Sequence, residues 1–239
     1  MSLIPYIGEK SLISNFIISE IPLDIKTYVE PFGGAFGVYL SINLERFKDV
    51  KFVYNDINHC NHNLFLKLRE PRFIKTIKRT FVDENLYEKS LSNLNTNDSD
   101  LLAISWLIVL CCSNIKDVGK YSWIGTKKFD LFKIKIRFYD DHLSSIDSLH
   151  NLDYKEIINM YDSPDTFFYL DPPYKGTEDY YINHNFNIDS HKELADVLNK
   201  IQGRFALSYY LFDELPELYP NCRFISKKTI GTEWLIMNY

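Results

Sequence analysis

The spacing of apolar residues changes repeatedly along this chain, and each change predicts a different element. Between Lys10 and Ile21 apolar positions recur at helical spacing. Thr27–Phe32 then reads as a strand, Gly33-Gly34 breaks it, and a helix is predicted over about Phe36–Arg46. Val50–Tyr54 reads as a second strand ending at Asn55-Asp56, with Asn58 placed to cap a helix that runs to about Arg69. Strand, glycine turn, helix and strand open an α/β sheet.

The middle of the chain changes character. From Phe73 to about Phe138 the pattern is mainly helical, with Ser92–Asp100 as a polar loop and Leu101–Cys112 as an apolar core helix. No strand is predicted between these helices, so the segment reads as an insertion between two parts of a sheet. Strand-like runs resume at Thr166–Leu170, Arg204–Tyr209, Arg223–Ser226 and Glu233–Asn238, with a helix around Ser190–Ile201.

Composition adds that 239 residues with 46% hydrophobic and 15% aromatic content can bury a sizeable core. Leu101–Cys112 falls far short of the ~20 residues that a membrane helix needs. The N-terminal MSLIPYIGEK lacks the basic, apolar and small-residue succession of a signal peptide, so an intracellular protein is expected. Cys60, Cys111, Cys112 and Cys222 form no CxxC pair, which fits core thiols in a reducing compartment.

A net charge of −5 argues against a polyanionic partner until its distribution is considered. Lys67–Arg79 carries six basic residues against Glu70, and 115–137 carries seven against Asp117 and Asp130. A basic run alone is ordinarily a solvated helix face. The second run differs because Gly119-Lys120-Tyr121-Ser122-Trp123-Ile124-Gly125-Thr126-Lys127-Lys128 interleaves cations and aromatics between glycines, as a loop or hairpin touching a polyanion would.

Three predicted strands end in distinctive chemistry: Glu30-Pro31-Phe32-Gly33-Gly34, Asn55-Asp56 and Asp171-Pro172-Pro173-Tyr174. In open α/β sheets ligands bind beyond the carboxyl ends of the strands, so the three ends are expected to share one crevice. Glycines let a backbone turn approach a bulky ligand, and an acid at the second strand end can accept hydrogen bonds from ribose hydroxyls, which suggests an adenosine-bearing cofactor. FGGAFG alone equally fits a tight strand-to-helix turn. The DPPY stretch is more specific. Its prolines turn the chain out of the sheet and leave the Pro172 carbonyl free beside the Asp171 carboxylate, while Tyr174 offers a flat face for a heterocycle. Two rigid acceptors aligned with the N–H bonds of a nucleobase amine favour pyramidal geometry and stabilise positive charge as the nitrogen attacks.

The order YIGEK, EPFGGAFG, NDIN, helical insertion, DPPY and closing TEWLIMNY resembles the Dam-like, D12-type (α-class) DNA adenine N6-methyltransferases over nearly the whole chain. The resemblance implies a Rossmann-like mixed sheet with helices on both faces, spanning 1–72 and 139–239, and a mainly helical target-recognition insertion at 73–138. It implies S-adenosyl-L-methionine as methyl donor, double-stranded DNA as partner, an extruded adenine as target, and the company of restriction–modification enzymes. By match to the family's motifs, Asp171, Pro172 and Tyr174 fall at the catalytic positions, Tyr174 being the aromatic that stacks on the base. Tyr6, Lys10, Glu30, Phe32, Gly34, Asp56, Ile57 and Asp171 fall at the cofactor site. Lys116, Lys120, Tyr121, Trp123, Lys127 and Lys128 fall in the DNA-reading segment, with Lys67–Arg79 expected to hold phosphates. Phe36 stands where the family's glycine motif has its last glycine, so the turn is expected to close differently. The segment before Gly119 is shorter than in the family, and no target sequence is carried over.

Cytosine N4 methylation uses the same amino-group chemistry and remains the alternative, beside an inactive nucleic-acid-binding relative. Cytosine C5 chemistry needs a thiolate in a Pro-Cys context, and none of the four cysteines follows a proline. His59, Cys60 and His62 lack a third ligand and a glutamate base, so no metal site is expected.

Overall fold

Successive residues of a strand point to opposite faces, and here both sets are apolar, so the sheet has to be covered twice. The computed structural model describes residues 3–6, 10, 12–114, 117–176, 186–228 and 231–239. In it Tyr28, Phe52, Tyr54, Phe167 and Tyr169 join one core, while Val29, Val53, Phe168 and Leu170 join another on the opposite face. The strands are β1 (Thr27–Glu30), β2 (Lys51–Asn55), β3 (Ser113–Asn114), β4 (Asp117–Tyr121), β5 (Ile146–His150), β6 (Thr166–Leu170), β7 (Arg204–Tyr209), β8 (Arg223–Lys228) and β9 (Thr232–Met237). Seven of them form one mixed sheet in the order β5-β2-β1-β6-β7-β9-β8. The first five in that order are parallel, and β9 runs antiparallel to both β7 and β8. From β1 the chain winds outward through β2 on one side, whereas β6 leads to β7 on the other. A crevice therefore opens between β1 and β6, at the point where the winding reverses.

The helices are α1 (Ser14–Glu20), α2 (His59–Leu68), α3 (Pro71–Arg79), α4 (Glu84–Ser92), α5 (Ser99–Cys112), α6 (Trp123–Lys135), α7 (Asp140–Ser144), α8 (Tyr154–Tyr161), α9 (Ile188–Leu198) and α10 (Leu215–Leu218). Asn58 caps α2 as expected, its side chain accepting from Cys60 N. The helix predicted over Phe36–Arg46 does not form. Two 3₁₀ turns, Tyr39–Ser41 and Leu44–Phe47, replace it because the backbone is extended at Ile42 and Asn43, and Asn43 bonds Glu45 N instead of continuing a helix. The loop expected at Ser92–Asp100 holds a 3₁₀ turn at Asn93–Asn95 and the first residues of α5, which Asp98 caps.

α5 runs alongside α2 in the opposite sense, and paired side chains fix its direction. Asn63 and Ser99 bond each other at the start of α5, whereas Trp106 reaches Asn61 in the first turn of α2. The last turn of α5 and the β3–β4 hairpin therefore lie at the crevice end of the sheet. α6 then crosses the end of α5 at Gly125, where a Cβ would sit 2.4 Å from the Cys112 Cα. Gly125 is a contact glycine inside a helix, not the turn glycine that its place in the sequence suggests. Phe73, Tyr87, Leu107, Phe129 and Phe132 share one core with the sheet residues Tyr28 and Phe52, so segment 73–138 packs directly on the sheet.

Candidate active site

The three distinctive strand ends line one cavity of about 380 Å³. Tyr6, Lys10, Glu30, Phe32, Gly34, Asp56, Ile57 and Asp171, which sequence motifs bring together, all contribute to its wall, as does Pro173. Asn55 explains how the ends are held in register. Its fully buried side chain donates to Pro31 O at 2.8 Å and Leu152 O at 3.0 Å and accepts from Leu152 N, so one carboxamide ties the ends of β1, β2 and β5 together. Asn151 adds bonds to the carbonyls of Asp56 and Ile57.

At the turn after β1, Gly34 (φ 48°) and Phe36 (φ 55°) both take the left-handed conformation. A Cβ on Gly34 would press on the Tyr6 ring at 3.2 Å. Left-handed backbone at Phe36 costs on the order of 1–2 kcal/mol, offset by a ring that is fully buried against Tyr39 at 4.2 Å and Tyr54 at 4.9 Å. The turn thus keeps the glycine-like backbone at this position with an aromatic in it. Asp56 Oδ2 accepts from Gly34 N at 2.7 Å and Oδ1 from Asn58 N at 2.7 Å, so the acid is clamped between the glycine turn and the cap of α2.

The far wall was missed from sequence. Leu152, Asp153 and Tyr154 follow β5, an edge strand whose mostly polar IDSLH gives no alternation to read. Phe32 stacks on Tyr154 at 5.1 Å and meets Phe186 edge-on at 5.9 Å, forming an aromatic wall beside the acids.

At the other end of the cavity Lys10 lies between two carboxylates, 2.9 Å from Asp171 Oδ1 and 3.4 Å from Glu233 Oε1. Burial works against its charge, but Asp171 and Glu233 outweigh it and raise the lysine pKa. Burial raises the Asp171 carboxyl to about 6, with Lys10 opposing and Glu233 reinforcing the shift. Tyr174 donates its hydroxyl to Glu233, its ring carries the Lys10 ammonium 4.8 Å from the centroid, and Tyr210 meets its edge at 4.7 Å. Pro172 and Tyr174 are buried and do not line the cavity. Glu233 is therefore a member of this cluster. The sequence signal for it was the closing TEWL stretch, which marked a motif but no role. Glu30 is the remaining acid: burial lifts its carboxyl to about 8 against the bonds it accepts from Tyr28 Oη at 2.6 Å and Tyr39 N at 3.0 Å.

The candidate DNA-reading residues separate. Tyr121 is half-buried, 5.6 Å from Tyr87, whose hydroxyl bonds Ser113 Oγ, so Tyr121 helps to anchor the hairpin. Trp123 is instead 63% exposed at the start of α6, with Lys127 over its ring at 4.9 Å. Lys120 and Lys127 are exposed and Lys128 is half-buried. Lys116 lies outside the described residues. Of the other basic run, Lys67 pairs with Glu70 and Asp100, and Arg72 with Asp100. Lys75 and Lys78 line a groove of about 500 Å³ with Arg69, Asp140 and Ser144. Ser144 lies two residues before β5 begins, so this groove is at the amino-terminal ends of the strands, opposite the crevice.

Among the described residues no grouping of three His, Cys, Asp or Glu side chains could hold a metal ion, and no helix is long and apolar enough to cross a membrane. Compared with known proteins, the chain matches the D12 class N6 adenine-specific DNA methyltransferase family over residues 6–232. It is similar to the modification methylase StsI of Streptococcus sanguinis, 26% identical over 232 residues that make up 85% of this chain and 34% of that protein. It thus spans about a third of the length of the curated relative that it matches. A solved rRNA methyltransferase, aviRa from Streptomyces viridochromogenes, superimposes with a TM-score of 0.43 at 11% identity, covering 94% of this chain and 81% of that one.

Proposed function

This chain belongs to the D12 class N6 adenine-specific DNA methyltransferases, and from that premise we propose that it transfers a methyl group from S-adenosyl-L-methionine to the N6 amino group of an adenine extruded from double-stranded DNA. The observation that carries the reading is the convergence of the EPFGG turn, Asp56 and the DPPY stretch on one cavity. The wall chemistry fits the cofactor. Asp56 suits ribose hydroxyls, the aromatic wall of Phe32, Tyr154 and Phe186 suits a flat heterocycle, and Asp171 suits a cationic centre, with Glu30 beside it as a carboxyl that burial holds largely protonated. Bound there, the cofactor supplies an electrophilic methyl group.

The chain's own residues then prepare the amine. Asp171 and the Pro172 carbonyl accept its two hydrogens, aligning the nitrogen lone pair and stabilising the positive charge that grows on nitrogen. Lys10 keeps Asp171 ionised, and Glu233 fixes Tyr174 through its hydroxyl so that the DPPY turn holds one geometry. Segment 73–138 reads the target, with Lys120, Trp123, Lys127 and Lys128 meeting the duplex, Tyr121 anchoring the hairpin, and the work done in an intracellular, DNA-containing compartment. Cytosine N4 would use the same acceptors, and membership of the adenine-specific class favours adenine. Mass spectrometry of nucleosides from DNA incubated with the protein and S-adenosyl-L-methionine tests the reading. N6-methyladenine is expected; N4-methylcytosine, or no methylated base at all, would overturn it.

A further inference from the structure

We propose that Asn61 and Trp106 are positioning residues through which the inserted helix α5 sets the geometry of Asp56, and so the affinity for the cofactor; the proposal rests on the assignment of Asp56 to the cofactor site. Asn61, on α2, is only 2% exposed. Its Oδ1 accepts from Trp106 Nε1 at 2.8 Å, and its Nδ2 donates to Tyr6 Oη at 2.9 Å and to Asp56 Oδ2 at 3.2 Å. An indole nitrogen can only donate, so Trp106 dictates which end of the carboxamide faces it. The opposite orientation would aim the amide oxygen at the Asp56 carboxylate and pair two N–H donors with each other. The tryptophan on α5 therefore selects the one orientation of Asn61 that presents N–H groups to Tyr6 and Asp56.

What this joins is not local in the chain. Tyr6 and Asp56 line the cavity, whereas Trp106 lies on α5, six residues before its end at Cys112, where the β3–β4 hairpin starts. Asp56 also accepts from Gly34 N in the turn after β1 and from Asn58 N at the cap of α2. Through the Trp106–Asn61 bond the inserted segment reaches it. Asn63, two positions along α2, supplies a comparison within the same helix: like Asn61 it does not line the cavity, and it bonds Ser99 on α5, whereas Asn61 bonds the lining residues Tyr6 and Asp56. Both asparagines hold α5 against α2, and only Asn61 also holds the acid.

The test is titration calorimetry with S-adenosyl-L-methionine and no DNA on the intact chain, with thermal midpoints taken in parallel. Trp106→Phe keeps the ring packing and removes the N–H; it is expected to weaken cofactor binding roughly three- to tenfold. Asn63→Ala, which loses bonds to α5 only, is expected to lower the thermal midpoint while leaving cofactor affinity within twofold. In an Asp56→Ala background Trp106→Phe should add little, because its target is gone. Parent-like affinity in Trp106→Phe overturns the proposal, as does a loss in the double variant equal to the product of the single losses. A parent that does not bind the cofactor overturns the assignment beneath it as well, so the two failures are told apart by the parent alone.

Discussion

The crevice and the hairpin–α6 surface lie at the same end of the sheet and are built by opposite rules. At the ends of β1, β2 and β6 the ionisable groups of the crevice are enclosed and engaged: Lys10 between Asp171 and Glu233, Glu30 under Tyr28 and Tyr39 N, Asp56 between Gly34 N and Asn58 N. On the hairpin and α6, Lys120, Lys127 and Trp123 are exposed, and basic residues are well in excess of acidic ones. A site that must present fixed charges to a reacting amine needs low dielectric and full hydrogen bonding. A surface that must meet a hydrated polyanion needs reachable cations and exposed rings. If that division is right, substitutions in the two regions should fail in different measurements.

The largest effect belongs to Asp171. Asp171→Ala should lower methyl transfer at saturating substrates by a hundredfold or more while moving cofactor affinity far less, because its partner is the charge that develops during transfer. Single-turnover rates beside calorimetry separate the two, and a variant that keeps the parent rate would remove Asp171 from the chemistry. Asp56→Ala should do the reverse, weakening cofactor binding by ten- to a hundredfold, or ~1.5–3 kcal/mol, with the single-turnover rate at saturation nearly kept.

Proton linkage sharpens the contrast further. Burial raises Asp171 to about 6, so between ~4 and that value the folded chain holds a proton that the unfolded chain has released. This contribution to stability is present at low pH and is lost as pH rises through the folded value. Activity runs the other way, since the amine needs the ionised acid: the rate should climb through about pH 6. Glu233→Gln removes the negative charge that pushes the Asp171 pKa up, so the acid limb should move to lower pH. An unmoved limb would mean that Glu233 does not act on Asp171 electrostatically.

How much of this was legible depended on which interaction set each element. Strands buried on both faces announce themselves by apolar content alone, and DPPY, EPFGG and NDIN marked the strand ends because proline, glycine and acid at those positions have few other uses. β5 was not legible, since of IDSLH only Ile146 is buried and the strand is fixed by pairing with β2. The Phe36–Arg46 helix failed for a related reason: apolar spacing suggested a helix, but the extended backbone at Ile42 and Asn43 answers to the turn and its packing. Glu233 and Asn61 could not be assigned a role from sequence because their partners are distant in the chain; Glu233 lies 59 residues from Tyr174, and Asn61 lies 45 from Trp106. Local chemistry is written locally, whereas the bonds that aim it are written by the fold.

On the proposed DNA-reading surface smaller, more selective losses are expected. Trp123→Ala removes a largely exposed ring, so the thermal midpoint should hardly move, whereas DNA affinity and choice of methylated site should change. Tyr121→Ala should cost stability too, because Tyr121 packs on Tyr87. Methylation-sensitive sequencing beside thermal denaturation distinguishes them, and an unchanged methylation pattern with Trp123→Ala would place recognition elsewhere in the chain.

The smallest effect is expected from the second basic run, and it tests whether charge alone defines a DNA surface here. Lys75 and Lys78 belong to a segment as basic as the hairpin region, and by composition both could hold phosphates. Geometry separates them. α2 leaves the crevice end of β2 and runs back along the sheet, so α3 begins at the far end, and the groove of Lys75 and Lys78 is closed by Asp140 and Ser144 just ahead of β5. A duplex delivering one base to Asp171 would have to wrap around the sheet to touch it. Removing a cation that neutralises one phosphate lowers the slope of log affinity against log salt by ~1. On a short duplex the pair Lys120→Ala, Lys127→Ala should therefore lower that slope by up to ~2, whereas Lys75→Ala, Lys78→Ala should leave it within error. A slope lowered equally by both pairs would mean that DNA reaches the amino-terminal ends of the strands, and that the exposed surface of this protein is read by its charge and not by its distance from the crevice.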